Sequence, residues 1–246
     1  IRGVTSEGMM CSEKELGLGE SHEGIMILND DAPVGQTLGS YLRAQGRQIF
    51  ELGITANRGD ALSMVGLARE LCLRSDERRP KPLIAACPDQ GPAVDVRIKL
   101  EDSGCPFYAA KVLTGLRVGE SPQWLKQRLQ AAGIRSISNV VDITNYVLLA
   151  YGQPLHAFDF DRLTTDDGGP VVMGVRSASE DEAFVTLDGV ERHLDATDMV
   201  VTNNGRAVAL AGVMGGAETE VGDGTTSVLL EAAFFDPARV RSTARR

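Results

Sequence analysis

Val171-Val172-Met173-Gly174-Val175, Met199-Val200-Val201-Thr202, Ala207-Val208-Ala209-Leu210-Ala211 and Ser227-Val228-Leu229-Leu230 are short apolar runs separated by Asp, Gly and Asn turns. Runs of that length between turn residues read as strands, so strands dominate beyond Pro170. Working back toward the amino end, helices enter. Ser121-Pro122 offers an N-cap followed by proline at the first helical position. Trp124, Leu125 and Leu129 then share a face, and Gly133 stands where a helix-ending glycine belongs. Val140, Val141, Thr144, Val147 and Leu148 fit a second helical face, with Asn139, Asp142 and Asn145 gathered opposite, although the β-branched residues argue for strand. Further upstream, Asp60 is an N-cap candidate before Ala61, Met64, Val65, Ala68, Leu71 and Cys72 at helical spacing. Ile49 to Ile54 reads as a strand, and Val94 to Ile98 alternates as a half-buried strand does. The expected class is α+β, with mixed or antiparallel sheets and a few helices.

The chain has 246 residues, 43% hydrophobic and 24% charged, which is enough apolar material to fold around one large core or two ordinary ones. Lys+Arg 25 against Asp+Glu 34 leaves a net charge of −9. That balance repels phosphate backbones on average, so the chain is not a free-standing basic nucleic-acid binder, though local basic patches are compatible with it. No run of about 18 apolar residues is present, and no transmembrane helix is expected. The chain opens at Ile1 without a signal-peptide pattern and ends at Arg246, and it reads as a piece of something longer. Three zones separate: a Gly-, Ser- and Glu-rich start to about residue 24, a zone over 25–87, and a zone over 88–246. The charged, proline-containing stretch Arg74 to Pro82 is the expected linker between the last two.

Cys11, Cys72, Cys87 and Cys105 have no CxxC spacing, so they read as reduced thiols and not as a zinc site completed by His22 or His193. Three constellations could bear chemistry. In Gly152-Gln153-Pro154-Leu155-His156-Ala157-Phe158-Asp159, a fixed turn sets His156 at a defined angle and Asp159 could orient its ring. A surface turn with a backbone-bonded histidine is the plainer alternative. In Val228 to Phe235, Glu231 shares a strand face with Leu229, Ala233 and Phe235, so its carboxylate needs solvent or a partner such as an arginine. In Ala211-Gly212-Val213-Met214-Gly215-Gly216-Ala217, adjacent glycines either let backbone N–H groups approach a ligand or make a simple turn. Arg135, after a helix end, could meet phosphate or carboxylate, or simply be solvated. No phosphate-loop, dinucleotide-loop or nucleophile-elbow motif is present.

These blocks, in one order, resemble the beta subunit of bacterial phenylalanyl-tRNA synthetase. The resemblance is carried by Ser121-Pro122-Gln123-Trp124-Leu125, Gly133-Ile134-Arg135-Ser136-Ile137, Val140 to Val147 and Gly152 to Asp159. Leu187-Asp188-Gly189, Ala209 to Gly216 and Leu230 to Phe235 follow, with Gly8 to Leu18 and Ile54 to Asp60 upstream. Ala56 and Gly59 replace usual prolines, Ser138 stands where asparagine is common, and Thr164 to Gly169 resembles a small insertion.

The resemblance implies an OB-type tRNA-binding module ending at about residue 24, part of an amino-terminal domain over 25–87, and an editing domain over 88–246 that a further segment completes. It implies an alpha-subunit partner in an (αβ)₂ assembly, the tRNA(Phe) 3′ end and the remaining beta-subunit domains as further partners, and a cytoplasmic setting with no membrane. ATP and magnesium would serve the whole enzyme, with no cofactor or metal in this region and no aminoacylation site. The implied reaction is hydrolysis of tyrosine misattached to tRNA(Phe). Glu231 would then accept the tyrosine hydroxyl's hydrogen bond. His156 would orient the terminal adenosine or the attacking water, steered by Asp159. Gly215 and Gly216 would give room and donors near the ester carbonyl, and Arg135 would meet the tRNA end. A tRNA-docking or structural role without hydrolysis, and a generic hydrolase using His156 and Asp159, are the alternatives.

Overall fold

The structure is a computed structural model and describes residues 8, 10–18, 21–28, 30, 32–45, 49–74, 94–164 and 168–245. The expected linker over 75–82, the expected boundary near Cys87 and the centre of the Thr164–Gly169 insertion lie outside the described residues. Contacts divide the chain into a unit ending at Phe50 and a unit beginning at Glu51. In the first, Ser12 and Glu15 cap a turn reciprocally, the Ser12 N–H donating to Glu15 at 2.8 Å. Helix α1 (Leu38–Gln45) follows Thr37, whose hydroxyl accepts from the Ser40 N–H.

In the second unit, helix α2 (Met64–Leu71) is preceded by a 3₁₀ turn. Its cap is Ser63, whose hydroxyl accepts from the Gly66 N–H. Asp60 sits inside the 3₁₀ turn and pairs with Arg58 instead. Ile49 to Ile54 forms no strand. Ile49, Phe50 and Leu52 are more than half exposed, and no described strand offers them a ladder.

Strand β1 (Val96–Leu100) precedes β2 (Phe107–Thr114), helices α3 (Gln123–Ala131) and α4 (Asn139–Tyr151), and β3 (His156–Asp159). Strands β4 (Val171–Ser177), β5 (Glu182–Val185), β6 (Glu191–Leu194), β7 (Met199–Asn203), β8 (Arg206–Leu210), β9 (Met214–Gly215) and β10 (Ser227–Phe234) follow, then α5 (Pro237–Thr243). One sheet runs β1-β4-β7-β8-β9, and the β1-β4 pair is parallel within an otherwise antiparallel array. A second sheet runs β2-β10-β3, antiparallel throughout. The β5-β6 hairpin forms a third. The α+β class with mixed and antiparallel sheets is therefore what the chain adopts.

Alternation along the strands builds the core. Phe158 and Leu229 from the three-stranded sheet pack with Met173, Val175 and Val201 from the five-stranded sheet, all at most 1% exposed. The opposite face of the larger sheet buries Val200 and Leu210 against Phe184 and Leu194 of the hairpin. This layered burial is the main source of stability.

Asp142 lies on the polar side of α4, opposite the apolar face, but not in solvent. It is fully buried, and its carboxylate accepts from the Ser121 and Ser136 hydroxyls, both at 2.5 Å, and from the Ile137 N–H at 2.9 Å. Ser121 is thereby spent on Asp142, and Pro122 occupies the N-cap of α3 without a side-chain bond. Leu125 and Leu129 are buried as expected, while Trp124 is half exposed and meets Tyr146 edge to face. Ser138, the departure from asparagine, caps α4 as asparagine would. Gly152, at φ +78°, ends α4 and turns the chain into β3.

Burial works against the Asp142 charge, yet the three hydrogen bonds outweigh it and hold the carboxyl below its ordinary value. Its stabilising contribution is thus present above that ordinary value and lost as pH falls through the lowered one. Asp142→Ala would strand two hydroxyls and an N–H, so urea unfolding should show a loss of about 3 kcal/mol or more at neutral pH. A shift no larger than that of an exposed substitution would remove Asp142 as the anchor of the two helices.

Candidate functional site

Strand β10 lies between β2 and β3, so three distant segments share one surface. Glu231 on β10 is the register partner of His156 on β3 and of Ala110 on β2. Directly opposed residues point to the same side of a sheet, which places Glu231 and His156 side by side with Leu229, Ala233, Phe158 and Tyr108 on that face. A cavity of about 620 Å³ opens there, within the range of about 300–1,000 Å³ usual for small-ligand sites. Gln153, Pro154 and Leu155 border it, Leu187, Met214 and Gly215 form one wall, and Pro237 and Val240 of α5 another. The lining is largely apolar, with the carboxylate and the imidazole as its ionisable groups.

Glu231 is 7% exposed, and its partner is not an arginine: the Tyr108 hydroxyl donates to Oε2 at 2.9 Å. Burial pushes the carboxyl up to about 7, opposed by that hydrogen bond. His156 meets Phe158 edge to face, ring centroids 4.4 Å apart. Among the described residues neither ring nitrogen has a hydrogen-bond partner. Burial alone pushes the imidazole down to about 4, so His156 is neutral at physiological pH.

The glycines divide. Gly215 packs flat on His156: a Cβ there would fall 2.6 Å from Cε1 and 2.7 Å from Nε2, and 3.1 Å from Leu187. Gly216 points elsewhere. Its N–H donates to the Val208 carbonyl at 2.9 Å, and a Cβ would strike that carbonyl and Phe184, so it does not serve as a free donor in the cavity. Asp159 does not steer His156 either. Three residues along a strand reverses the face, and Asp159 instead accepts from the Thr225 hydroxyl at 2.6 Å and the Asp161 N–H. Arg135 is exposed between α3 and α4, outside the cavity lining. The structure therefore joins Glu231, His156 and Gly215, and leaves Gly216, Asp159 and Arg135 apart.

Two contributors escaped the sequence reading. Tyr108 is 123 residues from Glu231 and has no local signature. The α5 wall did have one. Asp236 accepts from the Ala238 and Arg239 N–H groups, with Pro237 at the first helical position, a legible start signal. Arg239 ties α5 down through Asp102 at 2.6 Å and the Thr197 carbonyl.

Cys72 and Cys105 stand as thiols, and among the described residues no group of three or more His, Cys, Asp or Glu side chains is placed to hold a metal ion. No described helix is long and apolar enough to cross a membrane.

The family of the B3/4 domain matches residues 104–246. Over 100% of this chain, the phenylalanine–tRNA ligase beta subunit of Geobacter sulfurreducens is 47% identical across 248 aligned residues. Those of Gloeobacter violaceus and Halalkalibacterium halodurans are each 48% identical over the same full span. The chain spans about 30% of the length of these curated relatives. A crystal structure of an amino-terminal fragment of the phenylalanyl-tRNA synthetase beta subunit from Pyrococcus horikoshii aligns with 77% of this chain and 58% of that one, at 16% identity and a TM-score of 0.43.

Two outcomes follow from the site. Glu231, with its carboxyl raised, lends stability that is present below its ordinary value and lost as pH rises through about 7. His156, with its imidazole lowered, lends stability that is present above its ordinary value and lost as pH falls through about 4. Over roughly pH 4.5 to 6.5 the two nearly cancel. Glu231→Gln should unmask a rise in melting temperature with pH across that window, and a profile parallel to wild type would contradict the buried, neutral state of the pair. Gly215→Ala must displace His156, so it should cost about 1–3 kcal/mol in urea unfolding and shift the His156 ring resonances in NMR spectra. An unperturbed ring would contradict the close packing.

Proposed function

This chain belongs to the B3/4 domain family, and from that premise we propose that its cavity hydrolyses tyrosine misattached to tRNA(Phe). The observation that supports this most directly is Glu231: a buried carboxylate on the floor of a largely apolar cavity, with one oxygen engaged by Tyr108. An aromatic ring fits such a lining, and a ring with one hydroxyl finds an acceptor at its far end. A hydrophobic synthetic pocket rejects an isostere with one added hydroxyl by only about 10²-fold, whereas a site that bonds the hydroxyl discriminates against its absence by about 10⁴-fold or more. A second pocket of the latter kind is what proofreading against tyrosine requires.

In hydrolysis, water adds to the ester carbonyl, the bond to the ribose oxygen breaks, and that oxygen leaves with a proton. A neutral imidazole as weakly basic as His156 is a poor proton acceptor near pH 7. Its role in this reading is to orient the water or the terminal adenosine through an unengaged ring nitrogen, and a ribose hydroxyl of the substrate can relay the proton. Gly215 shapes the site by letting the imidazole lie against the backbone. Arg135 is proposed to meet the tRNA 3′ end outside the cavity. Extending the reading to the longer subunit, the partners are the ligase alpha subunit, the tRNA(Phe) 3′ end and the other beta-subunit domains, in the cytoplasm. ATP and magnesium then serve aminoacylation elsewhere in the enzyme.

The test is hydrolysis of Tyr-tRNA(Phe) and Phe-tRNA(Phe) by the reconstituted ligase. Glu231→Ala should cut the preference for the tyrosyl ester by about tenfold or more, the worth of a hydrogen bond to a charged group. Normal hydrolysis by a His156→Ala, Glu231→Ala double variant would overturn the reading in favour of a docking role for this region.

A further inference from the structure

This inference rests on the editing reading and concerns how Glu231 is held. Tyr108 stands on β2 opposite Ala233, one same-face position from the Ala110 that faces Glu231. Its side chain is 7% exposed, and its hydroxyl makes the Glu231 bond described above. A carboxylate at the end of a flexible side chain can rotate both oxygens through an open cavity. A bond from a ring locked in the core removes that freedom and leaves Oε1 for the cavity. Among the described residues no other side chain bonds the Glu231 carboxylate.

We propose that Tyr108 is a positioning residue for substrate selection: its hydroxyl pins Oε2 of Glu231, so that Oε1 is preset as the acceptor for the para-hydroxyl of a tyrosyl ester. Tyr108 does not touch the ester. It acts through Glu231, and it raises the preference for tyrosine over phenylalanine instead of speeding hydrolysis as such.

The surroundings agree with this role. Burial, then the Glu231 charge, holds the Tyr108 hydroxyl far above its ordinary value, so it remains a donor throughout the working range. The ionisable groups around Glu231 are Tyr108 of β2, the neutral His156 of β3 and the buried Cys105 thiol, which burial pushes up to about 11. None brings a positive charge. The Tyr108 bond is therefore what favours the ionised, accepting carboxylate against burial.

The experiment uses the reconstituted ligase and initial rates on both esters between about pH 6 and 8.5, corrected for uncatalysed loss. Tyr108→Phe should lower the Tyr-to-Phe ratio of kcat/KM about fivefold near pH 7, mainly through KM for the tyrosyl ester. It should also move the midpoint of that ratio to higher pH, so the loss shrinks at the alkaline end. Replacing Tyr108 with a ring-fluorinated tyrosine, a stronger donor of nearly the same volume, should move the midpoint the other way and keeps the test decisive if Tyr108→Phe folds poorly. Equal slowing of both esters with the ratio and midpoint intact would overturn the proposal and make Tyr108 a packing residue. Glu231→Ala separates the two failures. If it abolishes the preference while both Tyr108 variants keep it, only the positioning role falls. If it leaves the preference whole, the editing reading falls and takes this proposal with it.

Discussion

The backbone pairing of β10 governs the rest of the second unit. All eight of its residues pair with β2, and four of them pair with β3 on the other side. Since β2 and β3 both run antiparallel to β10, they are parallel to each other, and the α3–α4 crossover between them must span the strand that later separates them. Glu231, His156 and Tyr108 inherit their places in the site from this register. A slip of one residue would turn Glu231 to the outer face with Leu229 and Ala233, and bring Leu230 and Phe234 inward. The cost would be the buried contacts of Leu229 and Phe158 as well as the site, so packing and chemistry enforce the same alignment.

That alignment buries two ionisable groups without any compensating charge. Glu231 and His156 resolve the conflict by shifting in opposite directions, each toward its neutral form. Direct proton transfer from the acid to the base would create an ion pair, and the low basicity of His156 disfavours it. At neutral pH His156 is uncharged while Glu231 is near the middle of its titration, so the carboxyl is the one group of the pair whose charge varies there. Asp142 shows the opposite solution in the same unit. It keeps its charge because three donors converge on it, whereas Glu231 receives one. The number of donors separates a carboxylate that builds the fold from one left available to a ligand.

Local pattern was a good guide where structure is local. The four apolar runs are strands β4, β7, β8 and β10, and the helices over 123–131 and 139–151 lie where periodicity put them. Helix α4 forms despite its β-branched residues because Ser138 caps it and Gly152 ends it. Local pattern failed where side chains answered to distant partners. Ser121 looked like an N-cap but is spent on Asp142, and the burial of Asp142 was not legible because its donors come from Ser121 and the α3–α4 loop. Ile49 to Ile54 had strand composition but, among the described residues, no strand to pair with. In the site, the demand of Glu231 for a partner was legible from its apolar neighbours, but the identity of that partner depended on a register between strands far apart in the chain. Asp159 illustrates the same limit at short range, since the strand geometry of β3 separates it from the histidine it was expected to orient.

The position of β10 also sets an order of events during synthesis. The middle strand of the small sheet emerges from the ribosome after both of its neighbours. Until Ser227 to Phe234 appear, β2 and β3 present open edges and the apolar residues meant for the core, a state prone to mispairing with other chains. The α3–α4 hairpin, built on near-neighbour contacts, can form early and keep the two strands at the right separation. A nascent chain thus has a scaffold before it has a pocket, and the cavity is completed only when one late strand closes the gap.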